Sequence, residues 1–178
     1  MAELPEILVG APREQALVEF GFSPALLALL ADPEADPCAA IVAASDGTVL
    51  AEIAELPGVA GSLPSGTIAP VCHVDDSQLV YDLLVREGED AVWTLVRWSP
   101  EGCEPVLGGV LGYLTDRVVE VWEACEVEDP RLLAWAEAIG HPAAARLLAE
   151  LGVVGRGTLA EHHRWRAEFL ASLGAEPG

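Results

Sequence analysis

Four places in the chain carry residue types that could do chemistry. Glu161-His162-His163 holds two imidazoles and a carboxylate, the ingredients of a metal site. A helical metalloprotease motif sets its two histidines four apart on one face, whereas adjacent helical residues point roughly 100° apart. The pair therefore reads as part of an exposed polar helix face, and no metal is expected. Cys72-His73 with Asp75 and Asp76 supplies a nucleophile, a base and two carboxylates. Consecutive strand residues face opposite sides of a sheet, so Cys72 and His73 cannot readily pair. His141 is a remote base that nothing in the sequence positions. Gly-Val-Val-Gly-Arg-Gly at 152–157 lacks the Lys-Ser/Thr ending of a phosphate loop, and no strand precedes it. No cofactor is implied, and the catalytic reading is reduced to a small Cys/His enzyme as the weakest alternative.

The acidic clusters point elsewhere. Asp75 and Asp76 end a strand; Glu87, Glu89 and Asp90 form a turn; Glu120, Trp122, Glu123, Glu126, Glu128 and Asp129 gather toward a helix end. Acids around an aromatic anchor suit the rim and centre of a protein interface. The plain alternative is that Trp122 belongs to the core and the acids are its solvated face.

These groups must be positioned by elements that the sequence punctuates well. Pro12 fits the first turn of a helix through Phe20 that Gly21 ends, and Ser23-Pro24 caps a second, Leu-rich helix. Asp32 to Pro37 reads as a loop. Ala39 to Ala44, a turn at Asp46-Gly47, and Thr48 to Ile53 read as paired strands. Pro57 to Gly66 is a loop, and Thr67 to Val74 a strand. Leu79 to Arg86 and Val92 to Trp98, joined by Glu87-Gly88-Glu89-Asp90, form a hairpin of alternating period, closed by Ser99 to Gly102. From Val106 the period turns helical, with Val110, Leu114, Val118 and Val121 on one face to about Cys125; Gly108 and Gly112 would let a neighbour approach closely. Asp129-Pro130 to Gly140, His141-Pro142 to Gly152, and Thr158 to Gly174 are three further helices, the last opened by a capping box of Thr158 and Glu161. The expected fold is α+β: a mainly antiparallel sheet of four to six strands with flanking helices, residues 1–128, and a C-terminal helical extension, 129–178.

Composition sets the partner. The 178 residues carry 29 acids against 9 arginines and no lysine, a formal net charge of −20, with mean hydropathy +0.35. Such a surface repels nucleic-acid phosphates and anionic membranes and speeds encounter with basic partners. No apolar run reaches the roughly 18–20 residues of a membrane span. No basic leader precedes an apolar stretch, so a cytoplasmic protein is expected. Cys38, Cys72, Cys103 and Cys125, widely and irregularly spaced, then read as reduced and mostly buried.

The middle of the chain resembles a known family. Thr67-Ile68-Ala69-Pro70-Val71, Asp75-Asp76, the Tyr81-Asp82-Leu83 strand, a turn, the Val92-Trp93 strand and the helix from Val106 to Leu114 are similar to the second half of SUKH, or Smi/Knr-like, domains. The resemblance spans residues 12–122. It departs at Phe22-Ser23-Pro24, where the family has a Leu-Pro…Tyr signature, and at Asp46-Gly47, which only echoes its Asn-Gly. It implies an α+β binding domain without catalytic residues, of which bacterial members commonly neutralise toxins as immunity proteins. The sequence is thus expected to encode a non-catalytic protein-binding domain, monomeric or homodimeric, directed at a basic toxin domain. A secretion or assembly chaperone, or an interaction scaffold, is the alternative.

Overall fold

The computed structural model describes residues 5–30, 48–56, 58–59, 61–75, 79–124, 129–154 and 157–174. The chain is α+β and divides into two compact units, Met1–Val106 and Leu107–Gly178. Helix α4, Gly109–Ala124, belongs with the helical half, where it contacts α5, Asp129–Ala138.

The first unit is built on a five-stranded sheet in the order β1-β2-β3-β4-β5: Glu6–Ile7, Thr67–Asp75, Val80–Arg86, Thr94–Ser99 and Gly102–Pro105. Only β1–β2 is parallel; the other three pairings are antiparallel. The central hairpin follows the alternating pattern of its sequence, with Leu83 opposite Val96 and Leu84 opposite Leu95. Strand β3 is buried on both faces. Tyr81, Leu83 and Val85 join Ile68, Trp98 and Leu50 in one core cluster, and Asp82 and Leu84 are buried on the opposite face. The strands β1 and β5 are short and were not foreseen. Two residues show no period, and Gly102–Pro105 is exposed throughout, so neither carries an apolar alternation to read.

Helix α1, Gly10–Phe20, ends at Gly21 in the left-handed conformation, φ 117°. It buries Ala16 and Leu17, and its Arg13 donates to the carbonyls of Pro70 and Val71 on β2 at 2.5 and 3.0 Å. Beyond the two residues paired with β1 these carbonyls have no strand neighbour on that side among the described residues, and β2 is irregular between Pro70 and Cys72. Arg13 supplies the missing donors. In α2, Pro24–Leu30, the Ser23 hydroxyl accepts the Leu26 N–H at 3.1 Å, the cap expected from the sequence.

One element differs in kind. Thr48–Ala54 is helix α3, not a strand. Leu50 and Ala54 are buried, Ile53 is half-buried and Glu52 is exposed. That i, i+3, i+4 period places one face on the core and outweighs the β-branched residues. The strand expected at 39–44 and its turn lie outside the described residues.

The second unit contains α4, α5, α6 at Ala144–Val154 and α7 at Leu159–Ser172. Leu114, Val118 and Val121 are buried along α4 as their spacing predicts. The helix opens at Gly109, after Gly108 turns the backbone left-handed at φ 89°. The Leu170 side chain of α7 lies close against Gly108, the near approach that its glycine allows. The indole of Trp165 donates to Glu150 at 2.7 Å, and Arg146 reaches Ser172 at 2.9 Å, so α6 and α7 are stitched by polar groups outside their apolar contact. Among the described residues no helix is long and apolar enough to cross a membrane.

Candidate protein-binding surface

The turn joining β3 to β4 presents Glu87, Glu89 and Asp90, all exposed, as the sequence placed them. The Glu87 carboxylate accepts the Ser65 hydroxyl at 3.1 Å. Beside them the strand begins later than expected, at Thr94, which leaves Val92 in the connection and 84% exposed. Trp93 follows. Its ring lies under the Arg86 guanidinium, 4.4 Å from centroid to carbon, and its Nε1–H donates to Glu19 of α1 at 3.3 Å. The turn is therefore tied to α1 through one indole. Val92 thus leaves an apolar side chain in water among carboxylates.

The helical cluster is built differently. The Glu120 carboxylate is 2.6 Å from Arg117, whose side chain is 1% exposed, so its charge is engaged inside the unit. Glu123 is half-exposed, 3.6 Å from the His162 imidazole, which in turn stacks on Trp165 at 5.2 Å. Trp122 is half-buried. Asp129 opens α5 and Asp75 closes β2; Asp76, Glu126 and Glu128 lie outside the described residues. The sequence-predicted residues thus fall into two units, and among the described residues the hairpin group forms an open acidic turn.

The groups with catalytic potential are placed as follows. Cys72 is fully buried with Sγ 3.7 Å from Asp82, and Asp82, itself 0% exposed, is held by Arg97 through two hydrogen bonds of 2.8 and 3.0 Å. A thiol so enclosed has no route to a substrate in this conformation. Cys103 is exposed, in a cavity of about 680 Å³ with Arg97, Glu101 and Glu104 in its lining; partial burial pushes its thiol pKa up, away from the thiolate. His141 is buried, with Nε2 3.1 Å from the Thr115 hydroxyl and Nδ1 accepting the Ala143 N–H at 3.2 Å. That hydroxyl donates to the Leu111 carbonyl at 2.9 Å, so its proton is spent and the imidazole must carry its own on Nε2. Both nitrogens are therefore committed to holding helices. His162 is half-buried and His163 exposed, and among the described residues no group of three metal-ligating side chains converges.

Two surface features were missed in the sequence. Val92 was assigned to a strand because the apolar run Val92-Trp93 continues into β4; the turn residues before it gave no sign that the ladder starts two residues later. Glu14, Val18 and Glu19 of α1 were read only as helix, although their spacing with Ala11 defines an outward stripe. Comparison of the chain with protein-family models, curated proteins and solved structures finds no match.

Proposed function

We propose that this chain is a non-catalytic, acidic protein-binding domain, and that it neutralises a basic toxin domain by direct contact, the role implied by the resemblance to Smi/Knr-like immunity proteins. The observation that carries this reading is Val92, 84% exposed, beside the exposed carboxylates of Glu87, Glu89 and Asp90. An apolar anchor within a charged rim is the composition of a protein contact centre, and the net charge of −20 steers a cationic partner toward it. Charge attracts over about 8–10 Å before salt screens it, so encounter depends on ionic strength while the apolar contact does not.

The test is capture from host lysate, read by mass spectrometry at low and high salt, with wild type beside a Val92→Ser, Glu89→Lys, Asp90→Lys variant. One basic partner is expected, bound at low salt, weakened at high salt and lost by the variant. Capture that is indifferent to all three changes overturns the assignment of this turn.

A further inference from the structure

We propose that the groove between α1 and α2 docks an amphipathic helix of a partner protein, flanked on both sides by arginine or lysine. The inference rests on the protein-binding reading above and extends it from the turn to the helix face linked to it by the Trp93–Glu19 hydrogen bond.

The groove is open, with a volume of about 640 Å³. Ala11, Glu14, Gln15, Val18 and Glu19 line it from α1, and Pro24, Leu27 and Ala28 from α2. At roughly 100° per residue, Ala11 and Val18 fall in the middle of the α1 stripe, with Glu14 and Glu19 at its two margins. The floor is mostly apolar, with Gln15 between Ala11 and Glu19, and the rim is acidic. Val18 is 48% exposed, while Ala16 and Leu17, on the opposite face of the helix, are buried in the unit.

The rim charges are not cancelled. Glu19 accepts the Gln15 amide at 3.0 Å and the Trp93 indole at 3.3 Å, both neutral donors that orient the carboxylate without neutralising it. The Arg86 guanidinium is stacked on the Trp93 ring, the far partner of that bond. Glu14 is exposed and takes part in none of the ion pairs found among the described residues. Two exposed carboxylates, one of them oriented, astride this strip are complementary to a helix with an apolar stripe and cations on both flanks.

The occupant is a helix for a reason of hydrogen bonding. Both walls are helical side-chain surfaces, which offer no strand edge along which an extended peptide could pair. An extended peptide would bury its own N–H and C=O groups unpaired, whereas a helix satisfies them internally. A second copy of this chain is disfavoured, because a two-fold contact through the groove would set Glu14 and Glu19 against their own copies.

The probe is a phage-displayed library of helix-forming peptides of roughly 14 residues, a length at which isolated helices become marginal in water. Selection on the full chain is expected to converge on apolar residues at i, i+3 or i+4, and i+7, bordered by Arg or Lys. Synthetic winners should shift the methyl resonances of Val18 and Leu27. Val18→Asp, on an exposed position that leaves the core untouched, should weaken them at least tenfold, and Glu14→Gln about threefold, with the Glu14 effect vanishing at high salt. Winners without a cationic flank, methyl shifts elsewhere, or affinity unchanged by Val18→Asp would overturn the proposal. If the groove fails in this way while partner capture still depends on Val92 and Asp90, only the groove is refuted; loss of that dependence refutes the turn.

Discussion

Asp82 and Arg97 face each other directly across β3 and β4, and the arginine holds both carboxylate oxygens, at 2.8 and 3.0 Å. The two ends are unequal: the aspartate side chain is 0% exposed and the arginine 32%. Removing the arginine strands a buried charge, while removing the aspartate leaves a cation that can turn toward water. Arg97→Met is therefore expected to cost about 3–5 kcal/mol, and Asp82→Asn clearly less. Urea denaturation of the two variants measures the asymmetry; equal losses would refute it.

His141 makes the helical half sensitive to acid. Burial lowers its pKa from 6.5 to about 4. The folded chain therefore resists a proton that the unfolded chain accepts, so this contribution is complete above pH 6.5 and is lost as pH falls from there toward 4. The Asn carbonyl can still accept the Ala143 N–H but does not titrate. Thermal unfolding should show wild type losing stability relative to His141→Asn between pH 7.5 and pH 5. Parallel pH curves would show that His141 is not responsible.

Gly112 is fixed by its neighbour. A Cβ there would lie 1.8 Å from the Leu107 carbonyl oxygen, a group that also accepts Arg166 at 3.3 Å. Backbone must move to admit it, so Gly112→Ala should destabilise by about 1–3 kcal/mol despite the better helix propensity of alanine. Urea unfolding followed by circular dichroism gives the sign, and stabilisation would contradict the packing described.

The start of α7 depends on a reciprocal cap. Thr158 accepts the Glu161 N–H at 3.3 Å, and Glu161 accepts the Thr158 N–H at 2.7 Å. The backbone bond from Thr158, with its hydroxyl, holds the Glu161 carboxyl below the usual carboxylate range. Thr158→Ala should cost about 1 kcal/mol. Amide exchange at Glu161 and His162 should rise in that variant, with α4 and α5 unaffected.

How much of this was legible in the residues varies with the range of the force involved. Caps, turns and periods act within a few residues. Gly21, Ser23, the Thr158–Glu161 box, the β3–β4 hairpin and the apolar face of α4 could therefore be read directly, and with them the α+β class. Residues 48–53 read as a strand because the Asp46-Gly47 turn signal implies a hairpin, whereas the i, i+3, i+4 burial that makes them a helix is decided by a core partner. The short strands β1 and β5 exist because a longer neighbour offers unpaired hydrogen-bonding groups, which no local pattern encodes.

The sequence by itself determined the charge, the boundaries of most elements and the acidic hairpin turn, since each follows from residue identity and chain geometry at short range. Tertiary structure alone decided that Glu120 is paired internally with Arg117, that Cys72 and Asp82 are sealed in the sheet, and that Trp93 ties the hairpin to Glu19. Those outcomes depend on which side chains, tens of residues apart, are brought within hydrogen-bonding distance and removed from water, and only the folded chain sets that.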